Sequence, residues 1–402
     1  MKPAACTIRV AAALAFSAMA SMALPGLAAP FVPRSGAEVL ERLPQRGTAS
    51  DAVVRRQRAR LAEAPRDPAV AAEAAQRYIE LGRATGDPRY FGYAQAALAP
   101  WWQAAAPPVP VLLLRATLLQ SSHRFEESMR DLDAVTRADP GNAQAWVTLA
   151  TVQVVRGEYD AAIRSCGRLS SLASQLASMT CLANARASGG QLAASERLLA
   201  LAIERSPSAQ GASNDGLRLW ALTLSGELAA RGGDEARAEA RFRQALDLAP
   251  DDSYLLGAYA DLLLDQGRHA EVQALLREHL RIDGLLLRHT IASHVSVPTE
   301  ANALAELQAR FTAAARRGEA IHQREQARFE LHLRHSARAA LELALVNWQV
   351  QKEPADLRIL LEAAVAARDP AAARPALAWR RRQGLEDLKI ASLAQQLEGD
   401  RL

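Results

Sequence analysis

The chain has 402 residues, 50% of them hydrophobic but only 5% aromatic, and Ala, Leu and Arg dominate. This length is ample for a large core, the bias with helical periodicity points to an all-α protein, and 22 Gly and 19 Pro are too few for a disordered chain. The net charge of +4 falls to +2 without Lys2 and Arg9, and basic clusters such as Arg380-Arg381-Arg382 are interleaved with acids elsewhere, which argues against a nucleic-acid partner.

Residues 1–28 carry the marks of a secretory signal peptide. Lys2 and Arg9 form a basic start, Val10 to Leu24 is apolar, and Pro25-Gly26 breaks the run. Gly26-Leu27-Ala28 places small residues before a cleavage site after Ala28. The alternative is an uncleaved anchor, although the apolar run is short for a span. No later run is long enough to cross a membrane, so the mature chain is expected to be exported, periplasmic and without an integral span. Residues 29–66 should hold an irregular Pro-rich segment and a lead-in helix from Ala49 to Ala64.

From residue 67 to 286 the chain falls into helix pairs. Pro68–Arg83 and Arg89–Leu98 flank a Gly86-Asp87-Pro88 turn, and Trp101-Trp102 should cap the next pair. That pair begins at Val109, with Arg115 where a leucine is usual. The third begins at Ala143 and reads AQAWVTLATVQVVRGEYDAAIRSCGRLSSLAS. Counting Ala143 as 1, Trp146 is at 4, Leu149 at 7, Ala150 at 8, Gly157 at 15, Tyr159 at 17, Ala162 at 20 and Cys166 at 24. A fourth starts near Leu176, a fifth at Leu219 after a connection over 208–218, and a sixth at Ser253. Their small, turn and proline positions agree: Gly190, Gly233 and Gly267 match Gly157, and Pro207 and Pro250 match Pro140.

This pattern resembles the tetratricopeptide repeat, a helix–turn–helix unit of about 34 residues. The resemblance implies a solenoid, a right-handed superhelix with diverged terminal units. Bulky residues fill the space between the helices, small ones sit where they cross, and glycine allows the turn. The fourth unit lacks bulky residues in its first helix, so loose packing is expected there. Residues 287–402 form a diverged extension. Asp283–Val295 pairs with Ala301–Arg317, Gly318–Arg334 with Ala337–Val350 and Pro354–Ala367 with Pro370–Arg382, before a capping helix over Leu385–Leu397. Each pair should bury its stripe only against its neighbours.

No phosphate-cradling loop, nucleophile elbow or zinc-protease motif occurs, so no enzyme, cofactor or metal is expected. His332 and His335 share a face near Glu330 and His322, but two ligands fall short of a stable site, and surface histidines are the simpler reading. In the repeat frame, Cys166 lies in the second helix of one unit and Cys181 in the first helix of the next. Each is about two helical turns from the bend at Ala173-Ser174. They are either a disulfide or two small buried apolar residues.

The family's concave face is lined by positions 2, 5, 9, 12 and 13 of each first helix. Carried over, these give Gln144, Thr151, Asn184, Trp220, Glu227, Arg231, Tyr254, Asp261 and Asp265 among the groove residues. The groove begins amide-rich and becomes acidic, with Trp220 and Tyr254 in line. The basic set that grips a C-terminal carboxylate in the chaperone-binding subclass is absent. The expected function is therefore an exported scaffold holding a protein or peptide partner of basic or mixed charge, in envelope assembly or secretion. The alternatives are a structural subunit of an envelope complex and a metal-handling role for the His-bearing C-terminal segment. Oligomeric state stays open.

Overall fold

A computed structural model describes residues 49–206, 212–296, 301–316 and 322–399. The leader, its cleavage site and the Pro-rich segment lie outside the described residues. One compact unit spans Ala52–Leu402; of the other, Met1–Asp51, only 49–51 are described, as the start of a helix.

The described residues hold 21 α-helices and no strand. They are α1 (Ala49–Glu63), α2 (Pro68–Thr85), α3 (Arg89–Ala97), α4 (Ala99–Trp102), α5 (Val109–Ser121), α6 (Phe125–Ala138), α7 (Ala143–Val155), α8 (Tyr159–Arg168), α9 (Gln175–Ser188) and α10 (Leu192–Arg205). There follow α11 (Ala212–Gly232), α12 (Glu235–Leu246), α13 (Ser253–Asp265), α14 (His269–Leu276), α15 (Asp283–Ser296), α16 (Ala301–Arg316), α17 (Gln323–His332), α18 (Ala337–Val350), α19 (Pro354–Ala366), α20 (Pro370–Gln383) and α21 (Leu388–Gly399). None is long and apolar enough to cross a membrane.

The helix starts follow from local chemistry. Asp67, Asn142, Ser174, Asp234, Asp252 and Asp369 each cap a helix by accepting a backbone N–H of its first turn. Glu353 and Asp356 bond reciprocally at the start of α19, satisfying two backbone groups that the helix leaves open. Between the paired helices the chain reverses through Gly157, Gly190, Gly233 and Gly267, all at positive φ.

The first helices of successive units stack on one another from α2 through α5, α7, α9, α11, α13, α15, α17 and α19 to α21, which makes the all-α solenoid continuous. Arg115, the residue out of pattern in the second unit, is paired: it bonds both Asp131 oxygens at 2.7 Å and the Trp102 carbonyl at 2.7 Å. Trp101 and Trp102 pack, half-buried, against the core under α2 and α3.

Three expectations need correction. The fourth unit is not loose: Ala183, Ala185 and Ala187 are wholly buried, because small side chains let α9 come close to its neighbours. The described part of the 208–218 connection is helical, α11 beginning at Ala212. Most consequentially, the C-terminal pairs do not bury their stripes only against sequence neighbours. α18, α19, α20 and α21 share one hydrophobic core with α7, α8 and α9, in which Leu357, Leu360 and Leu361 are wholly buried beside Ala162, Cys166 and Cys181. The Lys352 N–H donates to the Val155 carbonyl at 2.8 Å, and the Tyr159 hydroxyl to the Lys352 carbonyl at 3.2 Å.

The seam runs along the turns of the third to fifth units. A Cβ on Gly157 would meet the Trp379 ring at 2.9 Å, one on Gly190 the Gly384 carbonyl oxygen at 2.6 Å, and one on Gly233 a Leu388 methyl at 2.5 Å. Trp379 stacks edge-on to both Tyr159 and Trp348. The turn glycine of the sixth unit, Gly267, faces open space.

Candidate partner-binding site

The concave stretch singled out in the sequence lies on α11 and α13. The Asp252 cap starts α13, and the Gly233 turn ends α11 and leads into α12. Tyr254 is 64% exposed, and its hydroxyl donates to the Glu227 carboxylate at 2.7 Å. Burial raises the Glu227 carboxyl to about 7 against the pull of that hydrogen bond. The Glu227 charge in turn pushes the Tyr254 hydroxyl up.

The expected acidic strip is neutralised by the chain itself. Asp261 receives Arg288 from α15 at 2.6 and 2.9 Å and Arg328 from α17 at 2.8 and 3.3 Å. Burial alone would raise its carboxyl, but the two guanidiniums outweigh it and hold it well below the usual range. Asp265 is bound bidentately by Arg358 of α19 at 2.6 and 2.7 Å. Arg358 also bonds Glu362 at 2.7 Å, and His332 lies 3.5 Å from the same carboxylate. Burial again opposes, yet His332 and Arg358 bring Glu362 down to about 2.

The remaining predicted groove residues scatter. Arg231 donates to the backbone carbonyls of Ala187 at 2.9 Å and Glu386 at 3.0 Å, across the seam to the connection before α21. An open cleft of about 490 Å³ lies there, lined by Leu192, Arg231, Gly384, Glu386 and Leu388 among others. Trp220 is half-buried against the shared core rather than standing free beside Tyr254. Thr151 bonds the Val147 carbonyl of its own helix at 2.9 Å, exposed Gln144 bonds Thr148 at 3.2 Å, and Asn184 is half-buried on α9. Cys166 and Cys181 are joined in a disulfide with Cα atoms 5.5 Å apart.

Sequence reasoning missed the cations that complete the face: Arg288, Arg324, Arg328 and Arg358. Arg324 bonds Glu353 at 3.1 Å and the wholly buried Asp356 at 3.4 Å; Asn347 bonds Asp356 at 2.8 Å. A signal for two of them was present. Counted from Arg324 and from Pro354, Arg328 and Arg358 both fall at position 5, with His332 and Glu362 at position 9. No group of three or more potential metal ligands occurs among the described residues.

The tetratricopeptide repeat family model matches residues 229–284, which span the turn after α11 through the sixth unit. No curated protein matches the chain. Among solved structures, a chain of the APC/C hetero-tetramer Cut9–Hcn1 is similar at 14% identity and a TM-score of 0.42, covering 78% of this chain and 54% of that one. The present chain thus spans about half the length of that relative. A tetratricopeptide repeat protein from Parabacteroides merdae is similar at 12% identity and a TM-score of 0.36, over 72% of this chain and 99% of that one. The human IFIT1 dimer with PPP-AAAA is similar at 13% identity and a TM-score of 0.40, over 85% and 90%. Residues 229–284 thus match the tetratricopeptide repeat model, and they lie within a continuous stack of helix pairs that share their turn glycines.

Proposed function

We propose that this protein is an exported scaffold that holds a protein or peptide partner against its concave face, at the end marked by Tyr254, in envelope assembly or secretion. One observation carries the reading: a large aromatic ring is 64% exposed on a face otherwise built of paired polar groups. Exposed aromatics flanked by charge are common anchors of binding hot spots. A preformed helical surface also binds without first ordering itself. The Cys166–Cys181 bond supports an oxidising compartment, and the reading assigns the chain no catalytic step.

A second reading is favoured by a specific observation. Asp261, Asp265 and Arg231 are engaged by the chain's own C-terminal helices, which removes part of the groove from partners. That suits a structural subunit using its convex face and ends. Crosslinking and pull-down from intact cells separates the two. The scaffold reading expects Tyr254→Ala to cost about 2 kcal/mol or more in partner affinity with the fold intact by circular dichroism. Undiminished capture by the folded variant would favour the structural subunit. Trp220→Ala is the less clean probe, because this ring packs on the core. For export, N-terminal sequencing of the secreted protein should begin at Ala29; recovery from washed membranes starting at Met1 would indicate an anchor.

A further inference from the structure

The carboxylates of the paired polar network between α11 and α19 differ in one respect. Asp261 meets Arg288 and Arg328, and Asp265 and Glu362 meet Arg358. Glu325, Glu353 and Asp356 all meet Arg324. Glu227 has no cation within ion-pair distance among the described residues; its hydrogen-bond partner is the Tyr254 hydroxyl. Arg231, on the same helix, favours the Glu227 carboxylate through its charge but forms no ion pair with it: its hydrogen bonds go to the Ala187 and Glu386 carbonyls, and it lies 4.0 Å from Asp387. The other charges that bear on Glu227 are Glu353 and Asp261, both negative, while Arg324 acts on Tyr254.

A carboxylate with no ion-paired cation therefore stands beside an aromatic ring largely open to water. A cation placed there would gain both an ion pair and the attraction of the ring face. We propose that Glu227 and Tyr254 form a pocket for a cationic side chain, a lysine or arginine of the bound partner. The proposal rests on the partner-binding reading and gives it a chemistry. It also carries a pH dependence. Burial holds the Glu227 carboxyl at about 7 in the free protein, so near neutrality a large share of molecules carries the proton. A bound cation favours the ionised form and expels that proton. Binding must then tighten as pH rises from 6 to 8.

The probe is N-acetyl-lysinamide, titrated into the full mature chain carrying ring-labelled tyrosine, with N-acetyl-glutaminamide as the neutral control. Nuclear magnetic resonance should show a saturable shift of the Tyr254 ring with the lysine compound only, roughly tenfold tighter at pH 8 than at pH 6. Glu227→Gln should weaken binding about tenfold and abolish the pH dependence, with the remaining tyrosine signals unmoved. Tyr254→Phe should keep the cation site, since the ring remains. Equal shifts with the neutral compound, or unchanged lysine binding in Glu227→Gln, would overturn the pocket. If the pocket fails while Tyr254→Ala still loses the cellular partner, the scaffold reading survives without it. If the lysine compound binds as expected but Tyr254→Ala captures the cellular partner undiminished, the pocket stands and the scaffold reading falls.

Discussion

The sixth unit and the third to fifth units are built from the same repeat, yet they are held differently. The turn of the sixth unit, at Gly267, projects into open space. Those of the third, fourth and fifth are covered by Trp379, Gly384 and Leu388 from the far end of the chain. An isolated repeat array gains stability from nearest-neighbour interfaces. Here a second, long-range interface is laid over that one, and units covered by it should tolerate far less change than a unit outside it.

The sharpest break of this contrast is expected at the seam. Trp379→Ala removes a ring packed against Trp348, Tyr159 and Gly157 and should cost about 3–5 kcal/mol, read by denaturant unfolding. Gly190→Ala should be comparably severe, because its Cβ would strike a backbone oxygen of Gly384 and its φ is +83°. If either variant unfolds at the wild-type midpoint, the C-terminal helices are not a structural part of the middle repeats.

Next in size is the disulfide, which joins the third and fourth units inside the shared core. The double replacement Cys166→Ala, Cys181→Ala should lower stability by about 3 kcal/mol, since the bond closes a short loop. Thiol titration of unreduced protein should find neither residue reactive.

Asp356 offers a finer probe of the C-terminal side. Burial raises its carboxyl to about 6 against the opposing charge of Arg324. The folded state therefore binds the proton more tightly than the unfolded chain does. The resulting stabilisation is full below about pH 4 and is lost as pH rises through 6. Asp356→Asn should flatten that part of the stability profile relative to wild type, measured as melting temperature between pH 4 and 7. A parallel profile would show that the group ionises freely in the fold. The smallest effect is expected from Gly267→Ala. Nothing lies within 4 Å of the added Cβ, so only its φ of +69° counts, at about 1 kcal/mol.

The repeats were legible because their constraints are local. The spacing of Gly157, Gly190, Gly233 and Gly267 encodes turns, and small residues such as Ala150 and Ala162 encode close helix crossings. What could not be read was the tertiary partner of each turn. Gly157 and Gly267 serve the same backbone geometry, and nothing beside them distinguishes the one that meets Trp379 from the one that meets water. The groove suffered for the same reason. Position 9 marks Asp261 as inward-facing, but whether it faces a ligand or Arg328 depends on how far the superhelix turns before it meets itself. Glu227 and Tyr254, in contrast, lie inside one stretch of clear repeats, and their pairing follows from neighbouring helices.

The closure between Tyr159 and Lys352 has a consequence in time. The two residues are separated by 193 positions. At roughly 5–20 residues per second of synthesis, the middle repeats emerge about 10–40 seconds before the helices that cover them. Throughout that interval the apolar side that receives Leu357, Leu360 and Trp379 has no cover. The nascent chain should therefore be most prone to aggregation, and most attractive to chaperones, when it ends between the sixth unit and α19. Truncations ending near residue 280 should be recovered bound to chaperones or insoluble, even though every repeat they contain is whole.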